Sequence, residues 1–229
     1  MSIFRTTNNS NALVAIFLLL MLAVFAGPDT LPRLLSQVIP AADESVPCNW
    51  LRQGTGRATH QSLIGRAANQ PIQIAVKTTP VPNGLEGSIF ISIIITNRSL
   101  GTVPIWVNSN PNQVRFGDDG VTSGLGLVFN NNTQLPAGSA QQAGITYPES
   151  EIRLLGPRQS CVNKVELPLN QLPDPTIING QASVKAYYRI TDPGTSQPST
   201  PGGTVIFPTQ GLWVGIAQSE SIPIPLSSE

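Results

Sequence analysis

Asp118 and Asp119 stand side by side in Gly117-Asp118-Asp119-Gly120, the one adjacent acid pair in the β-rich part of the chain. Carboxylate oxygens on a glycine-bounded loop are hard ligands of the kind calcium takes. The EF-hand spacing is missing, and turns favour aspartate for backbone reasons, so the pair is a weak metal candidate. Glu149 and Glu151, two apart on an expected short strand, are a carboxylate pair of the type glycoside hydrolysis uses. Nothing in the sequence fixes their separation. His60 is the single histidine, and it lies in the polar stretch 52–70 with Arg52, Arg57 and Arg66. A Ser-His-Asp triad or a histidine metal site needs locked geometry, which a solvated tether does not provide. No G-x-S-x-G elbow, H-E-x-x-H pair or S-x-x-K set is present. Gly124-Leu125-Gly126 lacks the strand–helix setting of a dinucleotide loop and reads as local strand flexibility. The residues therefore predict neither catalytic machinery nor a cofactor, and the chain is not expected to be an enzyme.

Binding chemistry has better candidates. Trp106, Tyr187 and Trp213 offer aromatic surface. Tyr187 is expected on the polar face of its strand between Lys185 and Arg189, where a ring could stack on a sugar or anchor a protein contact. Trp106 is the second platform, whereas Trp213 reads as core. Asn8, Asn97 and Asn131 begin N-x-S/T triplets, and the last two fall in expected turns where glycans could be attached.

Cys48 and Cys161 are the only cysteines. In an exported chain an even pair reads as one disulfide, the alternative being two buried thiols. No CxxC or Cys/His spacing suggests zinc.

The elements that would position these residues follow from periodicity. Ala12 to Ala26 is an unbroken apolar run. At 1.5 Å per residue it spans about 22 Å, less than the ~30 Å hydrocarbon core, which suits a signal peptide. Retention as a membrane anchor is the competing reading, with Gly27, Pro28 and the amphipathic stretch that follows extending it into the interface. Both readings place the bulk of the protein outside the cytoplasm, on the extracytoplasmic face of a membrane or secreted. Residues 1–27 are thus a signal peptide or anchor, 28–70 a linker with some order around Cys48, and 71–229 the folded domain. Cys48-Asn49-Trp50-Leu51 is expected to dock through the disulfide and the indole.

From Pro71 the hydrophobic period becomes two. Ile72, Ile74 and Val76 alternate with Gln73, Ala75 and Lys77. Ile89, Ile91, Ile93 and Ile95 make one face wholly apolar, and Phe90 and Ile94 make the other half apolar, as expected of a central strand with partners on both sides. Pro104 within the Val103–Val107 run indicates an edge or a bulge. Gly117–Gly120 reads as a hairpin connection. Ile145-Thr146-Tyr147 is a candidate short strand. Cys161, Asn163, Val165 and Leu167 share a face, as do Val184, Ala186, Tyr188 and Ile190. The loop 191–203 is expected to move, and Leu212–Ile216 supplies a late strand. Some eight or nine strands, punctuated by 20 Gly and 21 Pro, predict an all-β domain resembling an immunoglobulin-like or fibronectin-III-like antiparallel sandwich in architecture alone.

The charge balance narrows the partners. Thirteen basic and thirteen acidic residues cancel, so no basic field draws nucleic acid. Charged residues are 11% of the chain, well under the usual ~25%, which suggests an amide- and hydroxyl-rich surface or one partly covered. The expected function is a non-catalytic extracytoplasmic structural or accessory protein contacting a larger envelope complex. Its partners would be an envelope protein and, if residues 12–26 are uncleaved, the membrane. The alternative is a secreted module that binds carbohydrate or a surface polymer.

Overall fold

The computed structural model describes residues 46–54, 70–82, 87–108, 110, 114–130, 145–169, 182–196 and 207–226. The apolar run 12–26, His60, Asn131 and the centre of loop 191–203 lie outside these residues. Among the described residues no helix is long and apolar enough to cross a membrane.

The chain is all-β. Its strands in order are β1 (Ile72–Thr78), β2 (Ser88–Asn97), β3 (Val103–Trp106), β4 (Arg115–Phe116), β5 (Gly124–Phe129), β6 (Ile152–Leu155), β7 (Ser160–Pro168), β8 (Ser183–Ile190), β9 (Gly215–Gln218) and β10 (Ile222–Pro223). Helix among the described residues amounts to short 3-10 turns, Cys48–Trp50 and Glu149–Glu151 being the longest. The second turn replaces the strand expected around Glu149 and Glu151. Residues 145–147 and 211–214 are likewise not strands, and the late strand starts only at Gly215.

β2 lies in the middle of the three-stranded sheet β1-β2-β7, antiparallel to both neighbours. Ile89, Ile91, Ile93 and Ile95 are fully buried, as their alternation requires. Each buried isoleucine contributes roughly 1.5–3 kcal/mol of transfer free energy, so this register is held against a one-residue slip that would turn all four outward. Ile72, Ile74 and Val76 of β1 and Cys161, Val165 and Leu167 of β7 share the same core.

A second sheet runs β10-β8-β5-β4, with β9 also pairing β8. Val184, Ala186, Tyr188 and Ile190 turn into that common core, and β1 lies against β8 and β9. β3 and β6 form a two-stranded ribbon. Among the described residues β3 pairs with no other strand, in keeping with Pro104, which has no N–H to give a second ladder. The Pro104 carbonyl instead accepts from the Trp213 amide at 3.2 Å.

β4 and β5 are parallel, in register Arg115↔Gly126 and Phe116↔Leu127. The Gly117–Gly120 loop is therefore not the expected hairpin, and the second sheet is mixed. The reason is local. Asp119 accepts from the Val121 and Thr122 amides and from Thr122 Oγ1 at 3.0, 2.9 and 2.6 Å, so the loop coils on its own carboxylate. The chain then re-enters the sheet in the direction it left.

The segment 46–54 is stitched to the sheets. Cys48 and Cys161 form a disulfide with Cα atoms 4.8 Å apart, across 113 positions of sequence. Val46 and Pro47 run beside β7, and the Arg52 carbonyl accepts from the Leu154 amide. Buried Arg153 donates from Nε to the Asn49 carbonyl at 3.2 Å. The Trp50 indole does not dock as expected. It is 78% exposed, and Leu51 is the side chain that turns inward.

Candidate recognition site

A cavity of about 270 Å³ opens between the end of β3 and the start of β5. Trp106, Asn108, Asn110, Arg115, Ser123 and Asn163 carry its chemistry. A neighbouring cavity of about 140 Å³ shares Asn108 and Asn163 as walls and continues to Pro47, Cys48, Asn49 and Lys164.

Trp106 is fixed from several sides. Its amide donates to the Tyr188 hydroxyl at 2.8 Å, and its indole Nε1–H donates to Glu151 Oε2 at 3.0 Å. Its ring meets Tyr147 at 5.1 Å between centroids. Tyr147 is braced in turn. Gln210 accepts from its amide at 2.9 Å and donates to its carbonyl at 2.8 Å, and the Tyr147 hydroxyl donates to Ser123 Oγ. Burial pushes the Tyr147 and Tyr188 hydroxyls above their ordinary pKa, so both stay neutral hydrogen-bonding groups. Gly124 adopts φ +127°, and a Cβ there would sit 3.3 Å from the Trp106 ring. The glycine thus supplies close approach for the indole rather than strand flexibility.

Arg115 borders the cavity with its charge already matched, its Nη2 lying 2.9 Å from Asp119 Oδ2. Asn163 is 5% exposed, on the inward face of β7 between Cys161 and Val165. The arrangement offers an indole, several amides, hydroxyls and a neutralised guanidinium. None of these lining groups is placed as a nucleophile beside a base.

The other predicted site residues fall elsewhere. Tyr187 is not on an open face. It is 1% exposed, its hydroxyl donates to the Gly117 carbonyl at 2.8 Å, and Arg189 lies over its ring at 5.3 Å. Gly126 makes this possible, because a Cβ there would fall 2.2 Å from the ring. Burial and the nearby Asp118 carboxylate push the Tyr187 hydroxyl up to about 12. The loop 117–120 has covered the face that alternation left polar, so Tyr187 is not the binding platform expected of it.

Asp118 and Asp119 face arginines rather than an open cation seat. Arg189 holds Asp118 through both guanidinium nitrogens, at 2.5 and 3.0 Å, and lies 3.8 Å from Asp119. Among the described residues no cluster of three or more His, Cys, Asp or Glu is assembled for a metal ion. Glu151 is engaged with Trp106, and Glu149 stands exposed on the same 3-10 turn.

Asn97 is fully buried. Its Nδ2 donates to the carbonyls of Gly101, Leu155 and Gly156 at 2.6, 3.0 and 2.8 Å. Its Oδ1 accepts from the Ser99 amide and hydroxyl. The amide nitrogen that a glycan would need is enclosed, so the triplet Asn97-Arg98-Ser99 is structural in the folded chain.

The acid pair makes stability depend on pH. The bond to Arg189 lowers the Asp118 pKa against the opposing effect of burial. Burial raises that of Asp119, but the Thr122 and Val121 hydrogen bonds and Arg115 outweigh it and leave it at about 2. A folded-state value below the ordinary 3.8 means stabilisation that is complete above that value and lost as pH falls toward 2. Acid titration followed by circular dichroism should show unfolding begin in that window, and Asp119→Asn should flatten the dependence there. A carboxyl signal for Asp119 titrating at its ordinary value would contradict this account.

Comparison with known protein families, characterised proteins and solved structures yields no match to this chain. The functional reading therefore rests on the site itself.

Proposed function

We propose that this chain is a non-catalytic accessory protein of the extracytoplasmic face, exported or membrane-anchored, whose task is recognition within an envelope assembly. Residues 71–229 are taken as an immunoglobulin-like or fibronectin-III-like sandwich, and residues 1–27 as the export or anchoring segment. The Cys48–Cys161 disulfide supports an oxidising compartment. The observation that carries the reading is the chemistry around Trp106, where an indole braced by Tyr147, Tyr188 and Glu151 faces amides and hydroxyls. A rigid aromatic surrounded by polar groups fits binding, since little rotamer freedom remains to be lost when a ligand arrives.

The test is co-sedimentation of the full-length, oxidised chain with envelope material from its source. The native chain is expected to sediment with that material, and Trp106→Ala to weaken the association by about ten-fold. Equal partition of both chains into the soluble fraction would refute the reading.

A further inference from the structure

We infer that the tip formed by the turns 98–101 and 156–159 docks on an anionic phospholipid bilayer, with Leu100 entering the headgroup layer and Arg98 and Arg158 meeting its phosphates. This rests on the membrane-anchored form of the reading above and adds a second contact with the lipid surface. Leu100 is 80% exposed, more than any other large apolar side chain among the described residues. Arg98, Pro157 and Arg158 are exposed on the same two turns. The turns are joined, since the Arg158 amide donates to the Ser99 carbonyl at 3.3 Å. Fraying does not account for the exposure. The Asn97 amide and the Ser99 hydroxyl both donate to the Gly101 carbonyl, at 2.6 and 3.1 Å, so the turn is closed on either side of Leu100. Arg158 has a positive φ of 53°, a conformation that glycine reaches without steric cost, yet the position carries a long cationic side chain.

Charge complementarity selects the occupant. Among the described residues no carboxylate pairs with Arg98 or Arg158. A guanidinium fork matches phosphate oxygens, and its aliphatic stem lies along apolar surface while the charged head stays at the interface. The chain as a whole carries no net charge, so a preference for anionic lipid has to come from a local patch such as this one. The point of chain entry selects the same end of the fold. β7 starts at Ser160, just past the second turn, and leads away from the tip. Pro47 pairs with Val162 of β7 in the parallel sense, so the chain enters the described fold from the tip side. An uncleaved run 12–26 would hold Val46 within about 65 Å of the bilayer, the most that the chain from Ala26 can span.

The experiment mixes the full-length, oxidised chain with phosphatidylcholine vesicles, with and without about a third phosphatidylglycerol. Leu100→Cys supplies the one free thiol, Cys48 and Cys161 being paired, and carries an environment-sensitive dye. Its emission should move to the blue on the anionic vesicles and return in high salt. Arg98→Glu with Arg158→Glu, both at exposed positions, should raise the lipid needed for half of that shift by about ten-fold or more. The same dye on Leu226→Cys should not respond. Leu226 is 52% exposed, and it pairs with Val81 at the opposite end of the β1-β2-β7 sheet. An unmoved dye at position 100, an equal shift on neutral vesicles, or a shift that charge reversal leaves intact overturns the inference. So does an equal response from position 226. Silence at position 100, with envelope association still weakened by Trp106→Ala, removes the lipid contact and leaves the recognition reading standing. A charge-dependent shift at position 100, with envelope association that ignores Trp106→Ala, does the reverse.

Discussion

Asn97→Ala should destabilise the protein by about 3–4 kcal/mol, a large share of the ~5–15 kcal/mol that holds a typical native fold. The side chain sits where β2 ends, the turn 98–101 begins and β6 gives way to Gly156. Its amide nitrogen gathers the carbonyls of Gly101, Leu155 and Gly156, and its oxygen orders Ser99. Alanine leaves those carbonyls buried and without this donor, and each unsatisfied group costs about 1–3 kcal/mol. Asn97→Asp should be at least as damaging although its shape is kept, because a carboxylate would face carbonyl oxygens at hydrogen-bond distance without access to water. Urea denaturation of the three proteins measures this. A loss below about 1 kcal/mol for Asn97→Ala would mean the turn can be satisfied in other ways. Mass spectrometry of the native protein should also find Asn97 unmodified.

Removing the disulfide should have an effect of similar or greater size. Cys48→Ala with Cys161→Ala opens a link spanning 113 positions. On the chain-entropy model a loop of that length stabilises by about 4–5 kcal/mol, mainly by restricting the unfolded chain. The bonds Val162 N–H to Val46 and Leu154 N–H to Arg52, with that from Arg153 to Asn49, remain available in the double variant. They lose their tether, so residues 46–54 should release before the sheets do. Comparing the oxidised native chain with the double variant by urea denaturation and by amide exchange over 46–54 tests both parts. Equal midpoints, or equal protection of that segment, would contradict them.

Much of the sheet was legible because its signal is local. Isoleucine at every second position of β2 fixes which face is buried, and the structure buries all four. The alternations in β1 and β7 are equally plain, and Pro104 marked β3 as a strand without a second ladder. What alternation cannot show is what covers the other face. Lys185, Tyr187 and Arg189 read as a solvated row, yet Tyr187 and Arg189 are buried under the loop 117–120. That loop was misread as a hairpin because Asp-Gly suits such turns, whereas Asp119 folds it into a coil leading to a parallel strand. The Asn97 triplet could not report burial, since its partners lie 58 and 59 positions away as well as nearby.

The candidate site was half visible. Trp106 stood out as one of the two candidate aromatic platforms. Asn163 carries a sequence signal of its own, an amide in register with Cys161, Val165 and Leu167 on an inward face. The bracing of the indole by Tyr147, Glu151, Tyr188 and Gln210 arises from segments far apart in sequence, and no local pattern encodes it.

On the proposed reading, the chain associates with envelope material at the Trp106 cavity. Asn110→Trp addresses it most directly, because the added indole obstructs the cavity from an exposed position without removing a core contact. Co-sedimentation with envelope material should fall by about ten-fold in this variant while its urea midpoint stays that of the native chain. Undiminished association of the obstructed protein would show that the neighbour is met on some other surface.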